Sequence, residues 1–311
     1  MSKTEAVAHG TVDEFERQRG RLFGLAYRML GSATDAEDIV QDAFLRWQQV
    51  EPGSVGKPDA WLVKVTTNLC LNLLGSARYR REHYIGPWLP EPVLTNDGVL
   101  DPPATAEQRD TVSLGFLLLA ERLTPAERAV FVLREAFGYS HGEVAAVLEL
   151  SDSNCRQLHH RARNRLAGTG QRPGAGDTRG HRELVERFLD AAQGGDLAAL
   201  EQMLAEDAIS VADGGGAQGV ARRPIRGAAK VARYLASITG RFGTGLTVSI
   251  HEVNGVPAGI ARFSATPIGV FVPEIADGRL TDIRIIANPD KIRFAASQLE
   301  GLSHSEGLSG S

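Results

Sequence analysis

The sequence contains little of what disulfide-rich, metal-binding or membrane proteins require. Its 311 residues include only two cysteines, Cys70 and Cys155, which lie far apart in the chain. A disulfide or zinc framework is therefore not expected, and each cysteine is predicted to be a small buried apolar residue. No apolar stretch is long enough to span a membrane, and the N-terminus lacks the pattern of a signal peptide. These absences predict a cytoplasmic protein without a membrane partner.

Motifs for catalysis are also missing. The chain has no phosphate-binding loop, no cluster of metal ligands and no nucleophile motif, so we expect no cofactor and no enzymatic activity. The net charge of −4 excludes a protein that coats DNA non-specifically, but it permits a local DNA-binding surface. The arginines cluster in two places, and these are the first candidates for such a surface.

The composition divides the chain into five parts. Residues 12–85 and 106–168 have helical periodicity, and Thr34–Glu37 and Thr124–Glu127 resemble capping boxes that start helices. The prolines of residues 86–105 predict an irregular linker. After a glycine-rich joint, residues 179–296 predict an α+β domain, and residues 297–311 a disordered tail.

The α+β prediction depends on a change of residue type near the middle of the last domain. Helices are predicted first, and segments rich in β-branched residues follow them. The predicted helices are Arg182–Gln193, Leu197–Leu204 and Ala228–Arg241, and the predicted strands are Leu246–Val253, Gly259–Ala265, Val270–Ile275 and Leu280–Ile286.

A helix-turn-helix is the strongest local signal. A short helix from Ser140 to Leu148 is followed by a tight turn and a second helix, capped by Ser151 and rich in arginine. Such a second helix enters the major groove, where Asn, Gln and Arg bind base edges and further arginines bind phosphates. The exposed candidates are Ser153, Asn154, Arg156, Gln157, His160, Arg161 and Arg163. The alternative is a merely solvated polar face.

Two motifs in order extend this signal to a family. Leu123–Arg128 with the helix-turn-helix resembles region four of extracytoplasmic-function (ECF) sigma factors, and Asp35–Phe44 resembles their core-binding helix in region two. The resemblance implies a multidomain fold with two all-α sigma domains: a region 2 helical bundle and a region 4 helix-turn-helix. It also implies an alternative sigma factor that directs core RNA polymerase to promoters through contacts with the β′ clamp and the β flap.

The resemblance assigns expected contacts within region 2. The residues expected to bind core polymerase are Asp35, Glu37, Asp38, Gln41 and Asp42. Those expected to bind the −10 element are Lys64, Asn68, Asn72, Arg78, Arg80 and Arg81. Region 4 would bind the −35 element. Trp61, Tyr79 and Tyr84 are candidates for stacking on unpaired bases, although core packing is an alternative for Trp61, and buried hydrogen bonds are one for the asparagines.

The C-terminal part resembles SnoaL-like domains, in which a curved sheet and helices form a cone, fused to a subgroup of these sigma factors. Three motifs carry this resemblance and are expected to make a regulatory contact between the linker and the domain. They are Trp88, Leu89, Pro90, Glu91 and Pro92; Asp213, Gly214, Gly215 and Gly216; and Asn288, Pro289, Asp290 and Lys291. The pattern departs at Ala217, where the family has lysine. We hypothesise that Trp88 docks on the Asp213–Gly216 loop, either supporting or restraining promoter binding.

Two other functions remain open from the sequence. An Asp213/His251 pair is the candidate acid and base of an enzyme on this fold, but fold analogy alone does not establish catalysis. A ligand-sensing helix-turn-helix regulator without sigma activity is the other alternative, and an unknown small ligand in the C-terminal domain stays open with it. Such a regulator would not need the Asp35–Phe44 motif.

Overall fold

The computed structural model describes residues 3–51, 53–82, 84–96, 100, 108, 110–167 and 178–308. The chain divides into two compact units. The first comprises Met1–Glu82 and Gly98–Gly170, and the second comprises His83–Asp97 and Gln171–Ser311. The chain thus leaves the first unit after region 2, contributes a segment to the second unit, and returns to the first unit for region 4.

The first unit is all-α. Its helices are α1 (Lys3–Leu30), α2 (Ala33–Gln48), α3 (Pro58–Glu82), α4 (Leu114–Ala120), α5 (Pro125–Glu135), α6 (His141–Leu148) and α7 (Asp152–Ala167). The predicted apolar faces are buried, with Leu22, Ala26 and Leu30 of α1 fully enclosed. Helix α5 packs against α1 and α3, and α6 packs against α3, so regions 2 and 4 share one unit.

One predicted helix start is wrong by two residues. Helix α2 is capped by Ser32, whose Oγ accepts a hydrogen bond from the Asp35 backbone at 3.0 Å, rather than by Thr34. The cap predicted for α5 is confirmed: Thr124 and Glu127 bond each other's backbone amides, and Pro125 occupies the first turn. Serine and threonine both accept such bonds, and the sequence around Ser32 offered two of them within three residues.

The second unit is α+β, as predicted. Its helices are α8 (Thr178–Gly194), α9 (Leu197–Met203), α10 (Ala228–Phe242) and α11 (Pro289–Leu308), and its strands are β1 (Leu204–Asp213), β2 (Ile225–Arg226), β3 (Leu246–Val253), β4 (Val256–Phe263), β5 (Thr266–Ala276) and β6 (Arg279–Ile286). The sheet order is β2-β1-β6-β5-β4-β3. Only the β1–β6 pairing in this sheet is parallel, so the sheet is mixed.

Both faces of the sheet are covered. Phe188 of α8 stacks on Phe271 of β5 in a core that also includes α9 and α10. Val270 and Val272 alternate with Phe271 and therefore point to the opposite face, and both are buried. Helix α11 packs against β5. Burial on both faces explains why the strands lack a simple alternating pattern.

Two sequence expectations for this unit are wrong. Strands β1 and β2 were not predicted, because Leu204–Asp213 contains Glu206 and Asp207, which strands usually avoid. The tail expected to be disordered from residue 297 belongs to α11 as far as Leu308. Gln298 and Leu299 are buried, so packing against the domain overrides the weak local propensity of this segment.

Candidate DNA and polymerase interfaces

Helix α7 presents its polar side chains to solvent. The structure leaves exposed all seven residues expected at the −35 element: Ser153, Asn154, Arg156, Gln157, His160, Arg161 and Arg163. Ser151 caps the helix by accepting a hydrogen bond from the Asn154 amide at 3.2 Å. Glu149 adopts the left-handed conformation in the turn (φ 55°). The side chains suited to bonding base edges therefore lie on one accessible surface.

The opposite side of α7 is buried, and two polar contacts that the sequence did not reveal hold it in place. Cys155, His159 and Ala162 are buried. His159 Nε2 lies 2.7 Å from Glu135 Oε1, and Arg165 Nη1 donates to Glu127 Oε2 at 2.5 Å. Because Glu127 is 2% exposed and also caps α5, it links the start of α5 to the end of α7. The capping pattern was its only sequence signal.

The acidic face of α2 is exposed as expected. Glu37, Asp38, Gln41 and Asp42 are exposed, whereas Asp35 is half-buried. Sequence reasoning missed Leu45, which is 47% exposed. Because Leu45 follows Asp38 by seven residues and Gln41 by four, it lies on the same helical face. The surface combines carboxylates with one apolar contact, which suits a basic helical partner.

The expected −10 surface is only partly available. Asn68 and Asn72 are exposed, which rules out the alternative of buried structural hydrogen bonds. Lys64 Nζ donates to Glu149 Oε1 of the helix-turn-helix at 2.8 Å, and its ammonium lowers the pKa of Glu149 through hydrogen bonding and charge. The side chains of Arg78 and Arg80 lie outside the described part of the chain.

Arg81 has a structural role in this conformation. Its guanidinium donates to Glu121 and to the Leu30 carbonyl. Glu121 also accepts from Arg128 at 2.9 Å, and Arg128 donates to the Met29 carbonyl at 2.8 Å. Burial lowers the pKa of Arg128, and Glu121 opposes this shift. These arginines join regions 2 and 4 instead of facing solvent.

Two of the three candidate stacking aromatics are already packed. The ring centroids of Trp61 and Trp47 are 5.5 Å apart, so half-buried Trp61 packs against the edge of the region 2 core. Tyr84 lies in the second unit and donates to Asp213 Oδ1 at 2.6 Å. Burial, together with this bond, raises the pKa of Tyr84 well above its usual range. The side chain of Tyr79 lies outside the described residues.

Asp213 is the centre of a buried polar cluster that holds the linker. Its side chain is 0% exposed, and its Oδ2 accepts from the Leu89 amide at 2.8 Å and from Lys291 Nζ at 2.7 Å. Lys291 also donates to the Leu89 carbonyl at 2.6 Å. We call Leu89, Asp213 and Lys291, together with Tyr84, Trp88 and Asn288, the linker clamp. Each buried charge in it has a partner of opposite charge, as stability requires.

Aromatic rings complete the linker clamp. The Lys291 ammonium lies 4.3 Å from the Trp88 ring centroid and 4.6 Å from that of Tyr84, close enough for cation–π attraction. Asn288 Nδ2 donates to Tyr84 Oη at 2.7 Å. A Cβ at Gly215 would lie 2.7 Å from that same nitrogen, and Gly215 has φ 58°, which explains the glycine at this position.

The cation on Asp213 therefore comes from the last motif of the chain. Arg222, which follows the glycine motif, is exposed and donates to the Gly216 carbonyl at 3.5 Å. The hypothesis that Trp88 docks directly on the Asp213–Gly216 loop needs revision: the Leu89 backbone contacts Asp213, and the Trp88 ring covers Lys291.

The linker continues beyond the clamp as a strand-like segment. The Val93 amide and carbonyl bond Asn254, and the Leu94 amide and carbonyl bond the Gln298 side chain at 2.9 and 3.1 Å. Leu94 also forms an antiparallel bridge with Val253. Thr95 donates to Glu252 at 2.6 Å. Leu89, Val93 and Leu94 are buried, so this segment is an integral part of the second unit.

The structure does not bring together the candidate acid and base. Asp213 ends β1, and His251 lies in β3, with three strands between them. Four strand spacings amount to about 19 Å. His251 Nε2 instead lies 3.0 Å from Ser249 Oγ. Over the part of the chain that the structure describes, no group of three acidic, histidine or cysteine side chains is arranged to hold a metal.

Both cysteines are buried and unpaired, as predicted. Burial raises the pKa of each thiol, and for Cys70 the charge of Asp35 adds to the effect. In addition, none of the described helices is both long enough and apolar enough to cross a membrane.

Comparison with known proteins assigns a family to the two helical regions. Residues 15–80 match the Sigma-70 region 2 family, and residues 114–166 match Sigma-70, region 4. The chain is 36% identical over 299 residues to the ECF RNA polymerase sigma factor SigJ of Mycobacterium tuberculosis, covering 93% of this chain and 95% of the relative. It is 32% identical to the probable ECF sigma factor SigI of that species, covering 91% and 95%. The crystal structure of M. tuberculosis SigJ superposes with a TM-score of 0.71 at 34% identity, covering 90% of this chain and 98% of that one.

The two regions, in this order on one chain, define a sigma-70-type transcription initiation factor that acts with core RNA polymerase and promoter DNA. The similarity to SigJ extends over nearly the whole length of both proteins. The chain belongs to the ECF RNA polymerase sigma factors, and its C-terminal part folds as an α+β domain. Region 2 has no use in a simple helix-turn-helix regulator, so that alternative is set aside.

Proposed function

We propose that the C-terminal domain controls promoter use by holding the linker between the two promoter-binding regions, and that it restrains transcription while it does so. The observation that carries this proposal is the linker clamp, in which buried Asp213 and Lys291 bind both backbone polar groups of Leu89. A segment bound in this way cannot extend without breaking buried ionic hydrogen bonds, each of which is costly to leave unmade.

The length of the linker supports a role for the C-terminal domain in restraining transcription rather than in activating it. The −10 and −35 elements lie about 25 base pairs apart by their numbering, or roughly 85 Å at 3.4 Å per step. The roughly 30 residues between α3 and α4 span about 100 Å when fully extended. The segment around residues 84–96 is held on the second unit, so a change in the spacing between regions 2 and 4 requires either that this unit moves with them or that the segment is released. Simultaneous binding of both elements therefore favours a released linker.

Contacts within the first unit would also restrain DNA binding, because they occupy cations that could otherwise bind phosphates. Lys64 is engaged by Glu149, and Arg81 and Arg128 share Glu121. In the proposed mechanism these contacts open when core polymerase binds, and Lys64 and Arg81 then become available to DNA phosphates. The exposed Lys64–Glu149 pair is weak, so it opens more readily than the buried arginine contacts.

The proposed surface assignments follow the exposed groups. The α2 face, with Asp38, Gln41, Asp42 and the added Leu45, binds the β′ clamp, and region 4 approaches the β flap. The α7 residues bind the −35 element, and Asn68 and Asn72 bind −10 bases. The domain boundaries predicted from the sequence apply to these roles, except that the linker functions as part of the C-terminal unit. The site of action is the cytoplasm.

In this proposal the C-terminal domain has no catalytic role. The Asp213 carboxylate accepts hydrogen bonds from Lys291 and from the Leu89 amide of the linker. His251 lies on a strand that is not adjacent to β1. The domain retains the architecture of a ligand-binding fold while its candidate acid serves as an internal anchor.

Run-off transcription with bacterial core polymerase tests the proposal. The template is a pool of genomic fragments, because the promoter is not specified by the sequence. Full-length protein is compared with the charge-neutral pair Asp213→Asn and Lys291→Met, and with Glu201→Ala, an exposed acid outside the clamp. We expect specific transcripts from all three proteins and several-fold more from the clamp variant. Equal yields from all three would contradict restraint, and no transcripts from any would contradict sigma activity.

A further inference from the structure

The second unit contains an unusually basic surface that the proposed function does not use. Between Asp213 and Glu252 the sequence has no acidic residue. The same stretch contains six cations in a chain whose net charge is −4. They are Arg222, Arg223, Arg226, Lys230, Arg233 and Arg241, and all six are exposed. We call them the basic surface.

The cations form one surface because the loop before β2 packs on α10. The Ala221 amide donates to Tyr234 Oη at 3.1 Å, and Arg241 Nη1 donates to the Gly219 carbonyl at 3.1 Å. These two bonds place Arg222 and Arg223 beside α10. Lys230, Arg233 and Arg241 follow helical spacing on the exposed side of that helix, whereas Val231, Ala232 and Leu235 are buried on the other side.

These charges are not neutralised internally. Among the described residues, none of the six side chains has a carboxylate within 4 Å, whereas Arg179 and Arg182 of α8 pair with Glu183 and Glu186. Arg226 lies near one acid, since its charge lowers the pKa of Asp282, which burial raises. Arginines without a carboxylate partner are well suited to bind phosphate groups, because the guanidinium fork matches phosphate oxygens.

The surroundings favour DNA over a protein partner. Protein interfaces are anchored by buried aromatic and large apolar side chains, yet the large apolar residues that are exposed in the described chain all lie outside this stretch. Small residues, such as Ala229, Ser237 and Gly240, are exposed between the cations. The stripe from Lys230 to Arg241 is about 16 Å long, or roughly five base-pair steps.

We propose that the basic surface binds the phosphate backbone of promoter DNA, giving the C-terminal domain a direct, sequence-independent contact with the template. This inference rests on the proposed function, since it takes the DNA to be the template of the same sigma factor. The contact differs from the linker clamp, because it requires no release of the linker and no base recognition.

Salt-dependent DNA binding tests this proposal with the full-length protein. Arg223→Gln, Lys230→Gln and Arg233→Gln are combined, because among the described residues these side chains form no hydrogen bond or ion pair that the substitutions would remove. The control combines Arg179→Gln, Arg182→Gln and Arg187→Gln, which removes the same charge from α8. Fluorescence anisotropy with a 40-base-pair duplex of mixed sequence measures affinity at several salt concentrations.

We expect the α10 variant to bind the duplex roughly ten- to several-hundred-fold more weakly at 0.1 M salt and to lose about three units of salt slope, one for each phosphate contact. The α8 control should retain most of its DNA affinity and most of its salt slope. Circular dichroism and thermal melting identify any variant that fails to fold; single substitutions at Lys230 and Arg233 then replace the triple variant, each with an expected loss of about one unit of slope.

The outcomes separate this proposal from the proposed function. Unchanged affinity and slope in a folded variant, with normal run-off transcription, would overturn the basic surface as a DNA contact and leave sigma activity intact. Unchanged DNA binding with weaker binding to core polymerase would assign the surface to an acidic protein partner and also overturn the proposal. Absence of transcripts from the wild-type chain would instead count against the proposed function.

Discussion

The recognition helix and the linker clamp use similar polar residues in opposite ways. On α7, Gln157, Arg161 and Arg163 are exposed, and base edges and phosphates are the partners they suit. In the clamp, Asp213 and Lys291 are buried and saturated by groups of the same chain. Burial therefore decides whether a charged side chain serves the fold or an external ligand. The difference predicts that substitutions in the clamp change stability first, whereas those on α7 change promoter binding first.

The largest expected effect comes from Asp213→Ala. This substitution leaves Lys291, which is 8% exposed, without its counter-charge. Removing one partner of a buried pair typically costs about 3–5 kcal/mol. We expect the free energy of unfolding of the second unit to fall by that amount in urea titrations, and protease to cleave the linker faster. Glu201→Ala should stay within about 0.5 kcal/mol of wild type. If the urea midpoint of Asp213→Ala equalled that of the control, the clamp would not stabilise the second unit.

The next effect concerns DNA binding without loss of stability. Gln157→Ala and Arg161→Ala remove exposed groups suited to base edges, each worth about 1–3 kcal/mol of discrimination. We therefore expect roughly ten- to hundredfold weaker binding to the cognate promoter and an unchanged melting temperature. Electrophoretic mobility shifts measure the first quantity, and thermal melting the second. Arg179→Ala, on α8, is the matched control. A lowered melting temperature with retained binding would mean that these side chains are structural.

A smaller effect on stability is expected at two capping boxes that have the same hydrogen-bond pattern but differ in burial. Glu127 and Glu143 each cap a helix of region 4, but Glu127 is buried and also binds Arg165. Glu127→Ala should lower the free energy of unfolding by about 1–2 kcal/mol, with loss of both the cap and the arginine contact. Glu143→Ala should have a smaller effect, because its exposed carboxylate is readily replaced by water. Equal losses in chemical denaturation would show that the Arg165 contact adds nothing.

The smallest expected effect is an absence of reactivity. Both thiols are buried, and burial raises their pKa, so little thiolate is present at pH 8. An alkylating reagent should modify neither Cys70 nor Cys155 in the native protein within the time that fully modifies both in denaturant. Mass spectrometry measures the extent of modification. Rapid labelling of Cys155 alone would mean that the contact between α5 and α7 opens frequently.

Periodicity and residue type were sufficient to predict the helices and four of the six strands of the sheet from the sequence. The faces of α1 and α2 and the exposed side of α7 repeat every three to four residues, and β3 has the predicted bounds. Local patterns could not reveal β1, because its acidic residues oppose strand formation until β6 pairs with it. They also could not indicate that Arg81 turns inward, since Glu121 is distant in sequence. The partner of Asp213 was equally inaccessible, because Lys291 follows it by 78 positions.

The parallel pairing of β1 with β6 has a consequence for synthesis. It places Asp213 opposite Ile286, directly before the motif that supplies Asn288 and Lys291. The linker therefore finds its complete binding site only after residues 288–298 have been made. With Gln298 as the last contact, about 130 residues must follow α7, which takes roughly 7–26 s at bacterial translation rates. During that interval a nascent chain has both promoter-binding regions and an unheld linker, so under the proposed mechanism each molecule is unrestrained until the second unit has folded.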